Sequence, residues 1–188
     1  MKMTSDQRVA ILAHDGVDQQ ELTATRDFLE KAGIKTDTIA FEGAEVKGWE
    51  HDQWGIRLRI DKHFSVVKPL DYDGVFIPGG PLHADELREK SQVNAFIKEL
   101  FGAGKIVAGI GHGVQVLISA NVLHGLKVSS LSSIAADVRH CGALVQDDAI
   151  TADNGVITAR SGDHLERFAQ TMIDLLKSDV KQRVDVII

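Results

Sequence analysis

The chain has 188 residues, a length at which one domain with a substantial core is the economical arrangement. Apolar residues make up 44% and charged residues 26%, a balance that excludes a disordered chain. A net charge of −6 with no run of lysine or arginine excludes a phosphate-backbone binder, so no nucleic-acid partner is expected.

In the opening segment MKMTSDQRVAILAHDG, Asp6 and Arg8 precede an apolar run too short for a signal h-region or a membrane span. The expectation is a cytoplasmic protein without a membrane partner. Residues 8–13 read as a buried strand, and 18–33 as a helix with Leu22, Phe28, Leu29 and Ala32 at helical spacing and Gly33 as its stop. A second strand covers 36–41. Residues 45–64 then alternate polar and apolar around Gly48 and Gly55, which predicts a small hairpin insertion at the sheet edge. Trp49 and Trp54 beside those glycines read as a local packing pair, with a subunit contact as the alternative.

Residues 72–80 form a third core strand closing on Pro78-Gly79-Gly80, 91–104 a helix, 105–110 a fourth strand, and 112–125 another helix. The remainder reads as LKVSS at 126–130, a helix over 132–140, two short strands near 149–151 and 155–158, and an amphipathic helix over 163–178. No linker, repeat or low-complexity tract interrupts this order. It predicts a single α/β domain over 1–188, with 1–7 and 181–188 as terminal extensions and helices on both faces of a mostly parallel, doubly wound sheet. In such sheets ligands bind beyond the carboxyl ends of the strands. Three segments therefore stand out: HDGVDQQE after the first strand, PGGPLHADE after the third and GHG after the fourth.

The segment VAGIGHGVQVLISA breaks a strand at glycine and restarts as a helix, the outline of a nucleophile elbow. Its apex, Gly111, has no side chain. Read instead as a nucleotide loop, the pattern is G-x-G-x-G on a late strand, and the first acidic residue beyond it, Asp137, falls in a predicted helix. A degenerate elbow explains more.

His14, His83 and His112 each follow a predicted strand and share that end of the sheet with Asp15, Glu21 and Asp85. Histidine with carboxylate is a zinc-type donor set. No H-x-x-x-H or C-x-x-C spacing supports it, so no metal or other cofactor is expected. The alternative makes His14 and His83 solvated loop residues and His112 a cap or pocket lining. Cys141 is the only cysteine, which excludes an internal disulfide. In DVRHCGALV it stands between a predicted helix and a strand, where a structural role is expected.

The stretch GKIVAGIGHGVQVLISANVLHGLKVSS resembles the elbow region of the PfpI/ThiJ-like superfamily, intracellular peptidase and protein-deglycase relatives of class I glutamine amidotransferases. The family pattern there is approximately G-K-x-V-A-x-I-C-H-G-x-x-x-L. The likeness extends in order and spacing to RVAILAHDGVDQQEL, DYDGVFIPGG and ITADNGVITARSGDHLERF, nearly the whole chain. It implies a flavodoxin-like fold, a homo-oligomer and stress-linked relatives.

Carried over by position, the resemblance makes Glu21 the glutamate that hydrogen-bonds the thiol and His112 the histidine after the nucleophile. Asp85 becomes the acidic residue that reaches a neighbouring subunit's site, and Gly79 and Gly80 become the glycines lining the oxyanion region. Gly111 stands where the family has cysteine, and Val114 where it often has proline. Glycine at the apex relieves about 1–3 kcal/mol of backbone strain but supplies no nucleophile. The N–H groups at the helix start near His112 and Gly113 remain, and such groups favour an anion. The expectation is a pseudoenzyme that binds a small anionic or carbonyl-bearing ligand, or a partner, with His14 and His83 among the lining residues. The alternative is a hydrolase or lyase working through His112 and Glu21 on water or a metal.

Overall fold

The computed structural model describes residues 7–178. The first apolar run forms β1 (Arg8–Leu12), with every residue after Arg8 buried. The two-residue β2 (Val17–Asp18) leads into α1 (Gln19–Lys31), which Asp18 caps by accepting the Glu21 N–H at 2.9 Å. α1 stops before Gly33, which takes φ +84°, the left-handed conformation that ends helices cheaply only at glycine. Then come β3 (Lys35–Ala40), a hairpin of β4 (Glu45–Glu50) and β5 (Gln53–Arg59), and the short β6 (Lys62–His63). The middle of the chain supplies β7 (Gly74–Ile77), α2 (Pro81–Glu89), α3 (Ser91–Gly102), β8 (Ile106–Ile110) and α4 (Gly113–Ser119). Last are β9 (Lys127–Val128), α5 (Ala135–His140), β10 (Leu144–Val145), β11 (Ile150–Asp153), β12 (Val156–Ala159) and α6 (Leu165–Lys177).

Seven strands form the central sheet in the order β11-β12-β8-β7-β1-β3-β6, parallel throughout except for the antiparallel β11–β12 edge. Every residue of β7 and β8 is buried, as strands covered on both faces require. Side-chain alternation splits the core in two. Ala10 and Leu12 face a layer containing Leu87, Phe96, Leu100 and Leu117, from α2, α3 and α4. Val9 and Ile11 face Leu22, Leu29, Phe168 and Met172, from α1 and α6. This is the flavodoxin-like α/β arrangement expected of the sequence.

Four details differ from the sequence reading. The hairpin does not extend the main sheet; it joins β2 in a separate three-stranded sheet against α1. Gln19 holds it there, with Oε1 accepting the Ile56 N–H at 2.8 Å in a slot that a Cβ on Gly55 would fill, 1.8 Å from the same atom. The two tryptophans are a local pair, edge to face at 5.3 Å, and the Trp49 indole N–H donates to the His51 carbonyl. α2 was not anticipated, although Pro81 at its first turn is a recognised start signal. α4 is shorter than 112–125, because the chain turns at Asn121, whose φ is +54°. Finally, Gln7 belongs to the fold: it is buried, its amide donates to the Leu176 carbonyl, and its own carbonyl accepts the Lys35 N–H at 2.9 Å. The rest of the expected extensions, 1–6 and 181–188, lies outside the described residues.

Candidate functional site

The loops after β1, β7, β8 and β12 meet at the carboxyl end of the sheet, and glycines let them meet. Gly80 takes φ +107°, and a Cβ there would lie 2.1 Å from the Gly16 carbonyl oxygen. The Asp18 N–H donates to the Gly79 carbonyl at 2.9 Å and completes the join between the first two loops. Gly113 presses against the β7 end so closely that a Cβ would stand 2.4 Å from the Ile77 oxygen and 2.5 Å from the Pro78 oxygen. No side chain fits at either position.

Glu21, on the first turn of α1, sits at the centre of this junction and is 7% exposed. Its Oε2 accepts the Gly79 N–H at 2.6 Å. Cβ atoms on Gly79 and Gly162 would lie 2.6 Å and 3.2 Å from its carboxyl oxygens. Burial, reinforced by the nearby Asp18 charge and only partly offset by the Gly79 N–H, pushes its pKa up to about 8. At neutral pH the carboxyl is therefore protonated, able to donate from one oxygen while accepting at the other.

Gly111 is the apex between β8 and α4. It takes φ +54°, and its N–H donates to the Ala159 carbonyl at 3.0 Å. Unlike Gly80 and Gly113, it is not crowded: a Cβ would meet only Leu131 Cδ1 at 3.6 Å and the Arg160 oxygen at 3.9 Å, both ordinary contacts. His112 follows, half-buried. Burial lowers its pKa, with the Asp85 carboxylate pulling the other way, so the ring is neutral at pH 7. The resemblance assigned Asp85 to a neighbouring subunit's site; within this chain, exposed on α2, it acts on His112.

Other sequence-derived site residues are placed differently. Gly79 does not offer its N–H to an oxyanion, because Glu21 takes it. His83 is no loop residue or pocket lining: it faces inward from α2, fully buried, and its Nδ1 accepts the His14 N–H at 3.0 Å. Burial holds its pKa at about 3, so it stays neutral and joins the β1 loop to α2. The His14 ring lies beside Glu86 on α2, with Nε2 3.8 Å from Oε2, and Asp15 accepts the Lys47 N–H at 2.8 Å to staple the hairpin. His14 and His83 thus meet through a backbone N–H and one ring. Among the described residues no group of three or more histidine, cysteine or acidic side chains is arranged to hold a metal ion.

Cys141 caps the end of α5, its thiol 3.1 Å from the Val138 carbonyl. The next residue, Gly142, packs on His124 and accepts the Gly125 N–H, which places Cys141 by the turn after α4, at the opposite end of that helix from Gly111. Sequence reasoning missed Gly162 and Leu131. Gly162, in ARSGDH after the last strand, carried the same glycine-after-strand signal as Gly79; Leu131 carried none.

The chain matches the model of the DJ-1/PfpI family over residues 7–175. It is 33% identical over 172 residues to the Escherichia coli protein named protein/nucleic acid deglycase 2, covering 90% of this chain and 97% of that one. It is also 33% identical over 171 residues to the putative cysteine protease YraA of Bacillus subtilis, covering 90% and 98%. Among solved structures, the fold matches a ThiJ/PfpI domain protein from Brachyspira murdochii with a TM-score of 0.84 at 25% identity, covering 93% of this chain and 98% of that one. A two-domain Anabaena variabilis protein with DJ-1/ThiJ/PfpI-like and ferritin-like domains gives a TM-score of 0.85 at 27% identity, covering 94% of this chain and 51% of the other.

Proposed function

The chain belongs to the DJ-1/PfpI family, and we propose that it binds a small uncharged carbonyl compound in the space over Gly111, without thiol chemistry. One observation carries this reading: a buried carboxyl held neutral, Glu21, lies against Gly79 and Gly162 at the end of the sheet where the Gly111 apex bears no side chain. A neutral carboxyl can donate a hydrogen bond to a carbonyl oxygen, and the half-buried neutral His112 adds a second polar wall without charge. The anionic ligand allowed by the sequence is disfavoured. Glu21, Asp18 and Asp85 surround the site with carboxyl groups, His112 is uncharged, and α4 is only seven residues long.

Relatives are named a deglycase and a putative cysteine protease, and the second reading makes this chain a hydrolase or lyase in which Glu21 and His112 act on water. A thiol from this chain does not serve, since its one cysteine is by the turn after α4. The binding reading is tested by NMR titration of the Glu21 carboxyl and His112 ring with hydroxyacetone and, separately, with acetate. Saturable shifts with hydroxyacetone and none with acetate are expected. Saturation by acetate alone overturns the reading.

A further inference from the structure

The space over Gly111 has defined walls. Apart from Gly111's own neighbours in the chain, two atoms of the described residues lie within 4 Å of a Cβ built there: Leu131 Cδ1 at 3.6 Å and the Arg160 carbonyl oxygen at 3.9 Å. One wall is aliphatic. The other is a carbonyl that accepts no hydrogen bond from the described residues.

Both walls are fixed through the same strand. The Gly111 N–H is tied to Ala159, the last residue of β12, and Arg160 follows directly. Leu131 is anchored two residues upstream, where the fully buried Ser129 donates its N–H to Thr158 Oγ1 of β12 at 2.9 Å and to Thr151 Oγ1 of β11 at 2.7 Å. The Ser129 hydroxyl donates to the Asp148 carbonyl at 2.8 Å, and the Leu131 carbonyl accepts the Ile134 N–H at 3.2 Å. Leu131 itself packs against the core layer of α3 and α4. A side chain set this way on rigid elements defines a size limit rather than yielding to a ligand.

We infer that Leu131 is the specificity-determining side chain of this site: with the Arg160 carbonyl, it restricts the group seated over Gly111 to a short one that is apolar on one side and carries a hydrogen-bond donor. The inference rests on the proposed binding of a ligand over Gly111 and adds the shape and polarity of its end. A hydroxymethyl or hydrated aldehyde group satisfies both walls. A branched, aromatic or long alkyl end collides with Leu131, and a carboxylate meets the Arg160 oxygen with no proton to give it.

The test places a reporter thiol at the apex and reads the size of reagent it admits. In a Cys141→Ser background, Gly111→Cys is alkylated with iodoacetamide and with the bulkier N-ethylmaleimide, and the ratio of rates is compared among variants carrying Leu131, Leu131→Ala or Leu131→Phe. Leu131→Ala should raise the rate for the bulky reagent relative to the small one by about tenfold or more, and Leu131→Phe should lower it. Partial unfolding would raise both rates in both variants, so opposite directions cannot come from damage. A ratio that ignores residue 131 overturns the inference and leaves the binding reading standing. A thiol that even iodoacetamide never reaches overturns both.

Should Gly111→Cys not fold, the parent chain and its Leu131 variants are titrated with hydroxyacetone and with 3-hydroxy-3-methylbutan-2-one, which keeps the hydroxyl but branches the carbon that bears it, read at the His112 ring. Binding of the unbranched ketone alone to the parent, and of both to Leu131→Ala, is expected. Equal binding of both by the parent overturns the size limit.

Discussion

Replacing Glu21 by glutamine removes one ionisation and keeps the hydrogen bonds. The glutamine oxygen can accept the Gly79 N–H that Glu21 Oε2 accepts at 2.6 Å, and its NH2 group stands in for the protonated oxygen. Folding raises the Glu21 pKa from 4.5 to about 8, so the folded state holds a proton that the unfolded chain has released. Stability from the neutral carboxyl is thus fully present below pH 4.5 and is lost as pH rises through about 8. At about 1.4 kcal/mol per pKa unit, the rise amounts to about 5 kcal/mol, a large share of a typical domain's stability. Urea unfolding from pH 5 to pH 9 should show Glu21→Gln within about 1 kcal/mol of the parent at the acid end. Its advantage should grow by about 1.4 kcal/mol per pH unit up to pH 8 and then level off. A difference that stays constant across the range would refute the neutral carboxyl and the electrostatics built on it.

Asp18→Asn keeps a capping oxygen for the Glu21 N–H while removing the charge that helps raise Glu21; the carboxyl pKa, followed by carbon NMR, should fall toward the ordinary value. Gly111→Ala meets no clash and should cost only the about 1–2 kcal/mol of a left-handed alanine, measured by denaturant unfolding. Gly113→Ala drives a methyl to 2.4 Å from a backbone oxygen and should cost about 3 kcal/mol or more in the same assay, so the two glycines, separated by one residue, should differ clearly.

The core strands were legible because β1, β7 and β8 are buried on both faces and therefore read as unbroken apolar runs. α4 was overdrawn for the same reason: the apolar residues continue past Ser119, and nothing in their pattern announces that Asn121 turns left-handed. His83 misled because it follows a strand. The signal that places it correctly is helical, since His83, Ala84 and Leu87 form one buried stripe of α2. Glu21 is reached by resemblance, but its protonation is not, because that depends on the burial that only the folded chain imposes on its carboxyl, with the Asp18 charge beside it. Leu131 belongs to the same class: its role follows from the tether of Ser129 to β12 rather than from any local pattern.

The central claim, a ligand site without its own nucleophile, is tested most directly by turnover of methylglyoxal and a small peptide panel by the unmodified chain, with Gly111→Cys assayed beside it. The account predicts no turnover by the unmodified chain and measurable turnover once a thiol stands at the apex, next to His112. Turnover by the unmodified chain at a rate comparable to the cysteine variant would contradict it and move the chemistry to Glu21, His112 and water.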